Sequence, residues 1–529
     1  MDTKRGGGET WSDVIAEAEP AERRTAVVRV GKKQLAVFQT EQGVFACNNR
    51  CPHEGYPLAE GGVDGACVLT CNWHNWKFEL ATGDNLLGGD ALRTYPTQVR
   101  DGRVYVDTAD PPVEETRSRT LLRLREAMDD DAYDRIAREV ARLLRIGTPI
   151  ELIFEAAVAS TAPRLEFGTT HAFAALPDWL SLYDALEHEA DRLACLVEPL
   201  AHMARDTLRE PSIAFATVGS GHVPYTEQAL LDAIESEERA DAEALIASAL
   251  AAGVSDADLK RTLTRAALSH YADFGHSLIY TQKAFEAIAR LGHPVRAPLL
   301  QSLVRSMVYA QREDLIPEFR GYAAALACFG SEAGPVPSLD ALTAAGVDGA
   351  LSLVAASDGS DPVPLYRVLL QAAAHRVVSF DTHWAERFDR PVSDNINWLD
   401  FSHALTFAHA ARDLCSSSPE LWPAALLQMA CFVGRTRRYV DPKGQLAATE
   451  KEAPDFEQLR DAVLDHGSAE PIVSAHGIKT LLAVRREFEQ GFGDPLLGAA
   501  LKRFLNSPMK RRHVRRTARQ SLAFVARED

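Results

Sequence analysis

The chain has 529 residues, of which 46% are apolar and 25% are charged, and its formal net charge is −17 at pH 7. This length is too great for a single hydrophobic core, so two or more domains are expected. The composition is that of an ordinary globular protein, and the negative charge argues against general binding to nucleic acid.

The first hundred residues carry the alternation of apolar and polar side chains that is typical of β-strands. It occurs in residues 25–30, 35–38 and 103–106, with glycine-containing turns between such segments. We therefore expect a small all-β domain over residues 1–109, followed by a polar, proline-containing linker over residues 110–117.

Two short segments in this region each combine one cysteine with one histidine. They are Cys51-Pro-His53 and Cys71-Asn-Trp-His74, with seventeen residues between them. A [2Fe–2S] cluster of the Rieske type is bound by two thiolates on one iron and two neutral imidazoles on the other. Zinc also accepts two cysteines and two histidines, but zinc fingers place C-x-x-C before H-x(3–5)-H and do not alternate the residue types.

On these motifs, residues from about 11 to 107 resemble a Rieske domain of the soluble ferredoxin and oxygenase type. The resemblance covers under a fifth of the chain. It implies a [2Fe–2S] cluster whose ligands are Cys51, His53, Cys71 and His74.

The residues beside the motifs indicate which type of Rieske protein the domain resembles. Respiratory Rieske proteins have a Ser and a Tyr after the second motif, whose hydroxyls donate to the cluster sulfurs, and Trp76 and Phe78 occupy the matching positions here. They also carry a disulfide over the cluster, where this chain has Tyr56 and Trp73. Fewer donors imply a lower potential, as in an electron-delivering domain.

The other cysteines and the apolar runs bear on the compartment. We expect the six cysteines outside the motifs to be reduced thiols of the protein core. No apolar run approaches the length of a membrane span, and the first residues lack an apolar signal region. The expected location is the cytoplasm, away from the membrane.

Helical periodicity dominates after the linker, for instance over residues 121–144, and strand-like alternation is scarce. Residues 330–364, rich in Gly, Pro, Ser and Asp, divide this region into a first half over 118–335 and a second half over 336–529. The expected fold class is a multidomain protein, with the small all-β domain followed by a large all-α domain.

An internal repeat lies within the helical region. Asp273-Phe-Gly-His276 recurs as Asp400-Phe-Ser-His403, an offset of 127 residues, and the same offset aligns a Leu-Leu-Gln run in each copy without a gap. The sequence therefore predicts a duplicated helical hairpin. The alternative is a helical solenoid in which these Asp and His side chains merely cap or pair.

The repeat also suggests a second metal site. Asp at position i and His at i+3 lie on one face of a helix, so each copy presents a carboxylate beside an imidazole. Two such pairs resemble the way four-helix carboxylate proteins hold two irons, although those proteins use Glu-x-x-His. We predict a non-haem iron site with Asp273, His276, Asp400 and His403 as ligands. Further candidates, each alternatively a hydrogen-bonded core residue, are His171, His188, Asp191, His270 and His409.

The second copy also resembles a motif of Rieske ring-hydroxylating oxygenases. Asp400, His403 and His409 form D-x-x-H-x5-H, close to the D-x-x-H-x4-H pattern whose two histidines bind a mononuclear iron in those enzymes. The longer spacing turns His409 about 120° away from His403 on a continuous helix. Those enzymes also build the catalytic domain on a curved antiparallel sheet, which this helical region does not predict.

The source of electrons follows from what the sequence lacks. It has no nicotinamide or flavin fingerprint, since the loop at residues 219–222 lacks the third glycine and a preceding strand. We expect an external flavoprotein ferredoxin reductase as the donor. The preferred hypothesis is a Rieske-type oxidoreductase that passes electrons to the non-haem iron, acting as an oxygenase on O2 and a small-molecule substrate. The alternative is a non-catalytic electron carrier or redox sensor with a helical docking domain.

Overall fold

The computed structural model describes residues 11–17, 24–87, 89–217, 224–387, 396–441 and 454–510. The loop at residues 219–222 lies outside this part of the chain. The chain divides into two units, residues 1–123 and residues 124–529. The predicted order, a small all-β domain followed by a large helical region, is confirmed. Among the described helices, none combines the length and the apolar character needed to cross a membrane.

The strands of the first unit form three antiparallel sheets. Their orders are β1-β10-β9, β2-β3-β4-β8 and β5-β6-β7. The strands are β1 (Trp11–Ala16), β2 (Thr25–Val30), β3 (Lys33–Thr40), β4 (Gly43–Asn48), β5 (Gly62–Val63), β6 (Val68–Thr70), β7 (Lys77–Glu79), β8 (Thr94–Tyr95), β9 (Thr97–Arg100) and β10 (Arg103–Asp107).

Strand β3 is buried on both faces and separates two hydrophobic cores. Leu35 and Val37 pack on one side with the apolar residues of β10, while Ala36 and Phe38 pack on the other. The second core contains the two motif cysteines. Because successive side chains of a strand point to opposite faces, this one strand supports the sandwich and the loops that carry the metal-binding motifs.

Helices account for most of the second unit, and the first of them begins before residue 124, in the first unit. They are α1 (Val113–Asp129), α2 (Tyr133–Arg145), α3 (Ile150–Thr161), α4 (His171–Ala185), α5 (Glu189–Asp206), α6 (Glu227–Glu235), α7 (Arg239–Ala251), α8 (Asp256–Ser269), α9 (His276–Leu291), α10 (Arg296–Val308), α11 (Gly321–Cys328), α12 (Leu339–Ala344), α13 (Val347–Ala355), α14 (Pro362–Ser379), α15 (His383–Glu386), α16 (Trp398–Ser417), α17 (Trp422–Arg435), α18 (Phe456–Leu464), α19 (Pro471–Glu489) and α20 (Pro495–Leu505).

Four of these helices form a closed ring within the second unit. Helix α4 packs on α9, α9 on α16, α16 on α19, and α19 back on α4. Helices from the two sequence halves therefore contribute to one bundle, and side chains on their inward faces meet at its centre.

The repeated sequence corresponds to a repeated local fold. The first copy runs α8, α9, α10 and the second runs α14, α16, α17, with a 3-10 turn before the last helix of each. An isolated antiparallel bridge closes each copy, Ala272 with Arg312 in the first and Phe380 with Val440 in the second. The repeated motif and the repeated Leu-Leu-Gln run therefore fall on successive helices in the same order in both copies.

A strained turn leads into α9. Asp273, Phe274 and Gly275 have φ values of 46°, 52° and 74°, so three successive residues lie in the left-handed region. A Cβ at Gly275 would lie 2.5 Å from the ring of Phe407 on α16. Glycine at this position therefore serves both the backbone conformation and the close approach of the two duplicated helices.

This packing generates a stability prediction. Gly275→Ala should lower the free energy of unfolding more than Gly253→Ala, because both glycines have φ near 74° but the space at Gly253 is open to 4 Å. The expected difference is about 1–3 kcal/mol, the typical range for overpacking. Urea unfolding of the full chain, followed by helical circular dichroism, measures both variants, and equal losses would contradict the packing argument.

Candidate metal centres

The two motif loops of the first unit have the same backbone hydrogen bonds. In each, the cysteine N–H donates to the carbonyl five residues later at 2.8 Å, and the N–H four residues later donates to the cysteine carbonyl at 2.8 or 2.9 Å. Gly55 and Asn75 occupy that fourth position with φ of 79° and 60°. Glycine and asparagine tolerate this left-handed conformation, so the sequence specifies two matching tight loops.

These loops bring the four predicted cluster ligands together. Cys51 and Cys71 are buried, with 4% and 2% exposure, whereas His53 and His74 are exposed, with ring centroids 4.6 Å apart. Burial raises the pKa of the Cys51 thiol to about 11, although the N–H groups of His53 and Glu54 oppose this. Two inner sulfurs and two outer imidazoles fit the donor set of a Rieske cluster, and thiols lose their protons when they bind a metal.

Aromatic rings surround the loops. Trp76 stacks on the imidazole of His53, with centroids 4.5 Å apart. Tyr56 and Trp73 stack on each other at 4.0 Å. The positions at which respiratory Rieske proteins carry a disulfide are thus filled by an aromatic pair, and the eight cysteines, which all lie in the described ranges, have free thiols.

A second group of candidate ligands lies at the centre of the helical ring. Each of α4, α9, α16 and α19 contributes one histidine, and we call these residues the histidine cluster: His171, His276, His403 and His476. The Nε2 atom of His276 is 2.9 Å from Nε2 of His403 and 3.2 Å from Nε2 of His171. The ring of His476 lies 4.7 Å from the rings of His171 and His403.

The other nitrogens of these rings fix the tautomers. Nδ1 of His403 lies 2.7 Å from the carbonyl oxygen of Leu399, which only accepts, so this nitrogen carries the proton of the neutral ring. The carboxylate of Asp273 lies 3.5 Å from Nδ1 of His276 and favours the same tautomer there. The two Nε2 lone pairs therefore face each other at 2.9 Å, an arrangement that a cation between them stabilises.

The separations fit a metal ion. Two imidazole nitrogens bound to one metal at about 2.0–2.1 Å, with an angle of about 90–109°, lie about 2.8–3.4 Å apart. The observed separations of 2.9 and 3.2 Å fall in this range. His171, His276 and His403 can therefore each offer one ring nitrogen to a single ion, because these three atoms all lie within 4.8 Å of one another.

Burial favours the neutral form of three residues of the histidine cluster, which is the form that binds metals. Burial lowers the pKa of His171, His403 and His476 well below its usual value, and their mutual repulsion and that of Lys479 add to the effect. His476 is fully buried, and neither of its ring nitrogens has a hydrogen-bond partner among the described residues. A buried imidazole of this kind calls for a further partner, and a metal at the cluster would provide one.

Lys479 lies one helical turn beyond His476. It is 1% exposed, and its Nζ has no hydrogen-bond partner within the described ranges. Burial lowers the pKa of this amine to about 7. The cluster is thus bordered by an amine that is easily neutralised near physiological pH.

The two predicted aspartates lie apart from the converging nitrogens. Asp273 stands behind His276, on its Nδ1 side. Asp400 accepts the N–H of Asn397 at 2.9 Å in a capping box at the start of α16, and its other oxygen lies 3.8 Å from Arg435. The structure therefore brings the two repeat histidines together and engages Asp400 elsewhere.

Of the further candidate histidines, some join the histidine cluster and others contact carboxylates elsewhere in the fold. His171 joins the cluster, but His409 binds the buried carboxylate of Glu487 at 2.7 Å. The second histidine of the D-x-x-H-x5-H pattern is therefore directed away from His403. His188 is exposed and lies 3.7 Å from Asp191.

His476 was missed by the sequence reasoning, because it lies outside the repeat and belongs to no recognisable motif. One signal was available. Helix α19 is buried over most of its length, and Ser474, His476, Lys479 and Thr480 place four polar side chains in that buried stretch. Burial of polar groups without partners is unfavourable, so several polar residues in a buried helix indicate a candidate binding site.

Comparisons with known proteins support the interpretation of the first unit as a Rieske domain. Residues 10–96 match the Rieske [2Fe-2S] domain family. The ferredoxin component of a naphthalene 1,2-dioxygenase system from Pseudomonas aeruginosa is 30% identical over 101 residues, which make up 19% of this chain and 96% of that ferredoxin. A solved complex of oxygenase and ferredoxin in carbazole 1,9a-dioxygenase contains a chain that is 28% identical, with 20% of this chain and 99% of that chain covered and a TM-score of 0.18.

A 4beta-methylsterol monooxygenase from Methylococcus capsulatus is 31% identical over 116 residues, which are 20% of this chain and 31% of that enzyme. The first unit is thus a Rieske domain of the ferredoxin type. The chain belongs to the Rieske [2Fe–2S] family through this domain, which implies a [2Fe–2S] cluster, and no family is recognised for the helical remainder.

His270, another candidate from the sequence, generates a pH prediction. Its imidazole binds Asp314 at 2.7 Å and Glu235 at 2.8 Å. Burial opposes its charge, but the two hydrogen bonds outweigh burial and raise the pKa of His270 above its usual value. A raised pKa stabilises the fold below the unfolded-state pKa, and this contribution disappears as the pH rises through the folded-state pKa.

His270→Gln should therefore lower the free energy of unfolding by about 1 kcal/mol at pH 5.5, a value reduced for partial exposure, and by less at pH 9. Urea titrations at the two pH values measure this difference. His188→Gln, at an exposed histidine, is the control and should have little effect at either pH. A loss that grows with pH would contradict the assignment.

Proposed function

We propose that the protein is a Rieske-type oxidoreductase that acts as an oxygenase. Cys51, His53, Cys71 and His74 bind the [2Fe–2S] cluster, which is reduced by an external flavoprotein ferredoxin reductase. The electrons pass to a non-haem iron centre at the histidine cluster. The eight free thiols suit the reducing cytoplasm.

One observation carries this proposal: a chain with a Rieske domain also contains three histidines whose ring nitrogens converge at metal-binding separations inside a helical bundle. The relatives of the Rieske domain support it, since their names describe a ferredoxin of a dioxygenase system and a sterol monooxygenase. Oxygenases need electrons supplied to a metal that handles O2, and a carrier fused to a metal-binding bundle meets that need. The substrate class we propose is a small organic molecule.

The residues of the Rieske loops set the conditions for electron transfer. The cluster, when bound, supplies electrons one at a time. The buried cysteines would hold one iron of the bound cluster away from water. The exposed imidazoles of His53 and His74 lie at the surface, where a reductase can approach. Trp76 covers one face of His53 and fixes its ring orientation.

The residues of the helical bundle set the conditions for oxygen chemistry. Iron, when bound, supplies the site for dioxygen. The Leu399 carbonyl holds the proton on Nδ1 of His403, and Asp273 does the same for His276, so both rings offer Nε2. The hydroxyl of Tyr280 lies 3.3 Å from Nδ1 of His171 and fixes the third ring.

A non-catalytic electron carrier or sensor is the second candidate. It is favoured by the length of the matches, because the naphthalene dioxygenase relative is a separate ferredoxin that aligns over 96% of its length. In that case the histidine cluster would bind no iron, and the helical unit would dock a partner. The two candidates differ in metal content and in O2 consumption.

The iron-to-sulfide ratio distinguishes them. Anaerobically purified full-length protein should contain about 1.5 iron atoms per acid-labile sulfide if one iron lies outside the cluster, and about 1.0 if the cluster holds all the iron. A double variant, His276→Asn with His403→Asn, should return the ratio to about 1.0. His409→Asn is the matched control, since His409 is a buried histidine of the same helix that binds Glu487, and it should retain the additional iron.

A wild-type ratio of about 1.0 would refute the iron centre. With a suitable reductase, the wild type should also consume NADH in an O2-dependent manner, and the double variant should not. NADH consumption that persists in the double variant would assign it to another site.

The cluster ligands have their own test. Cys51→Ser should abolish the electron paramagnetic resonance signal of the reduced Rieske cluster, because a thiolate ligand is lost. Cys47→Ser is the matched control, since Cys47 is equally buried four residues earlier but lies on strand β4. Its signal should persist, and loss of the signal in both variants would indicate a folding defect instead.

A further inference from the structure

We propose that Arg435 is a positioning residue for the histidine cluster, which holds His276 and His403 at metal-binding separation by linking the segments that lead into their helices. This inference rests on the proposed metal centre. In the described part of the chain, no hydrogen bond, ion pair or ring contact joins Arg435 to a cluster histidine, so its positioning role is exerted through Phe274, Glu313 and Asp400.

Arg435 is the last residue of α17 and reaches both copies of the duplicated motif. Its guanidinium lies 4.0 Å from the centroid of the Phe274 ring and 3.6 Å from the carboxylate of Glu313. On the other side it lies 3.8 Å from the carboxylate of Asp400. One side chain from the second copy thus connects the turn before α9 with the first turn of α16.

The turn before α9 needs this support. Non-glycine residues in the left-handed region are strained by contact of the Cβ with the backbone, and Asp273 and Phe274 both adopt this conformation. Glu313, which is 3% exposed, accepts the N–H of Phe274 at 3.1 Å. Arg435 stacks on the ring of that same residue and attracts Glu313, so the two side chains hold the turn that places His276 at the start of its helix.

The start of α16 is held on the opposite side of Arg435. Asp400 uses Oδ2 to accept the N–H of Asn397 and directs Oδ1 toward the guanidinium. His403 follows Asp400 by three residues on the same helix face. Displacement of Asp400 would therefore rotate or shift the turn that carries His403.

The charges explain why an arginine occupies this place. Asp273, Asp400 and Glu313 are close enough to repel one another, and burial with this repulsion raises the pKa of Glu313 to about 7 against the attraction of Arg435. A planar guanidinium can face two carboxylates and stack on a ring at once, which an ammonium group cannot. Lysine is therefore an incomplete replacement.

The test is a Co²⁺ titration of full-length protein from which the iron outside the cluster has been removed by a chelator. Outer residues that orient ligands typically change metal affinity by about 10–100-fold. Arg435→Met should weaken Co²⁺ binding by at least about tenfold and alter the visible d–d absorption bands, with Arg435→Lys between it and the wild type. Arg376→Met is the matched control, because Arg376 is a buried arginine that donates to the carbonyls of Val433 and Thr343.

The control should lose thermal stability without a change in the Co²⁺ spectrum. An Arg435→Met protein with wild-type affinity and spectrum would overturn the positioning role and leave the metal centre intact. Wild-type protein that binds no Co²⁺ would instead refute the proposed centre. If Arg435→Met does not fold, Glu313→Gln, which keeps an acceptor for Phe274 but loses the charge facing Arg435, should shift the d–d bands, and an unchanged spectrum would reject the inference.

Discussion

The facing Nε2 atoms of His276 and His403, 2.9 Å apart, impose the main constraint on the helical unit. When both rings carry their proton on Nδ1, the two Nε2 lone pairs face each other, and this arrangement is favourable with a cation between them. The strained turn at residues 273–275, the glycine against Phe407 and the capping box of α16 all help to place the two rings.

The Rieske loops could be predicted from sequence because their information is local. Each loop needs only a Cys and a His a few residues apart and a left-handed residue such as Gly55 or Asn75, and all of these can be read from the chain. The histidine cluster could be predicted only in part. The duplication identified His276 and His403, but His476 comes from a helix with no repeated partner, and only the packing of α19 on α4 and α16 brings it to the centre.

The two aspartates illustrate a second limit of sequence reasoning. Spacing of i and i+3 places side chains on one face only within a continuous helix, and Asp273 precedes α9 in a left-handed turn. Asp400 lies in the first turn of α16, where a carboxylate is favoured by unpaired backbone N–H groups and becomes a cap. The aspartate of the same four-residue motif therefore has a different role in each copy: Asp273 lies beside His276, and Asp400 caps α16. The sequence alone does not distinguish these two roles.

The positions of the histidines within their helices differ in a way that affects motion. His171 and His276 are the first residues of α4 and α9, whereas His403 and His476 lie in the second turn of α16 and α19. Helix ends fray and interior turns do not, so local opening requires far less free energy at the first pair. The positions of His171 and His276 therefore depend on the segments that precede their helices, whereas those of His403 and His476 are set by continuous helix on both sides.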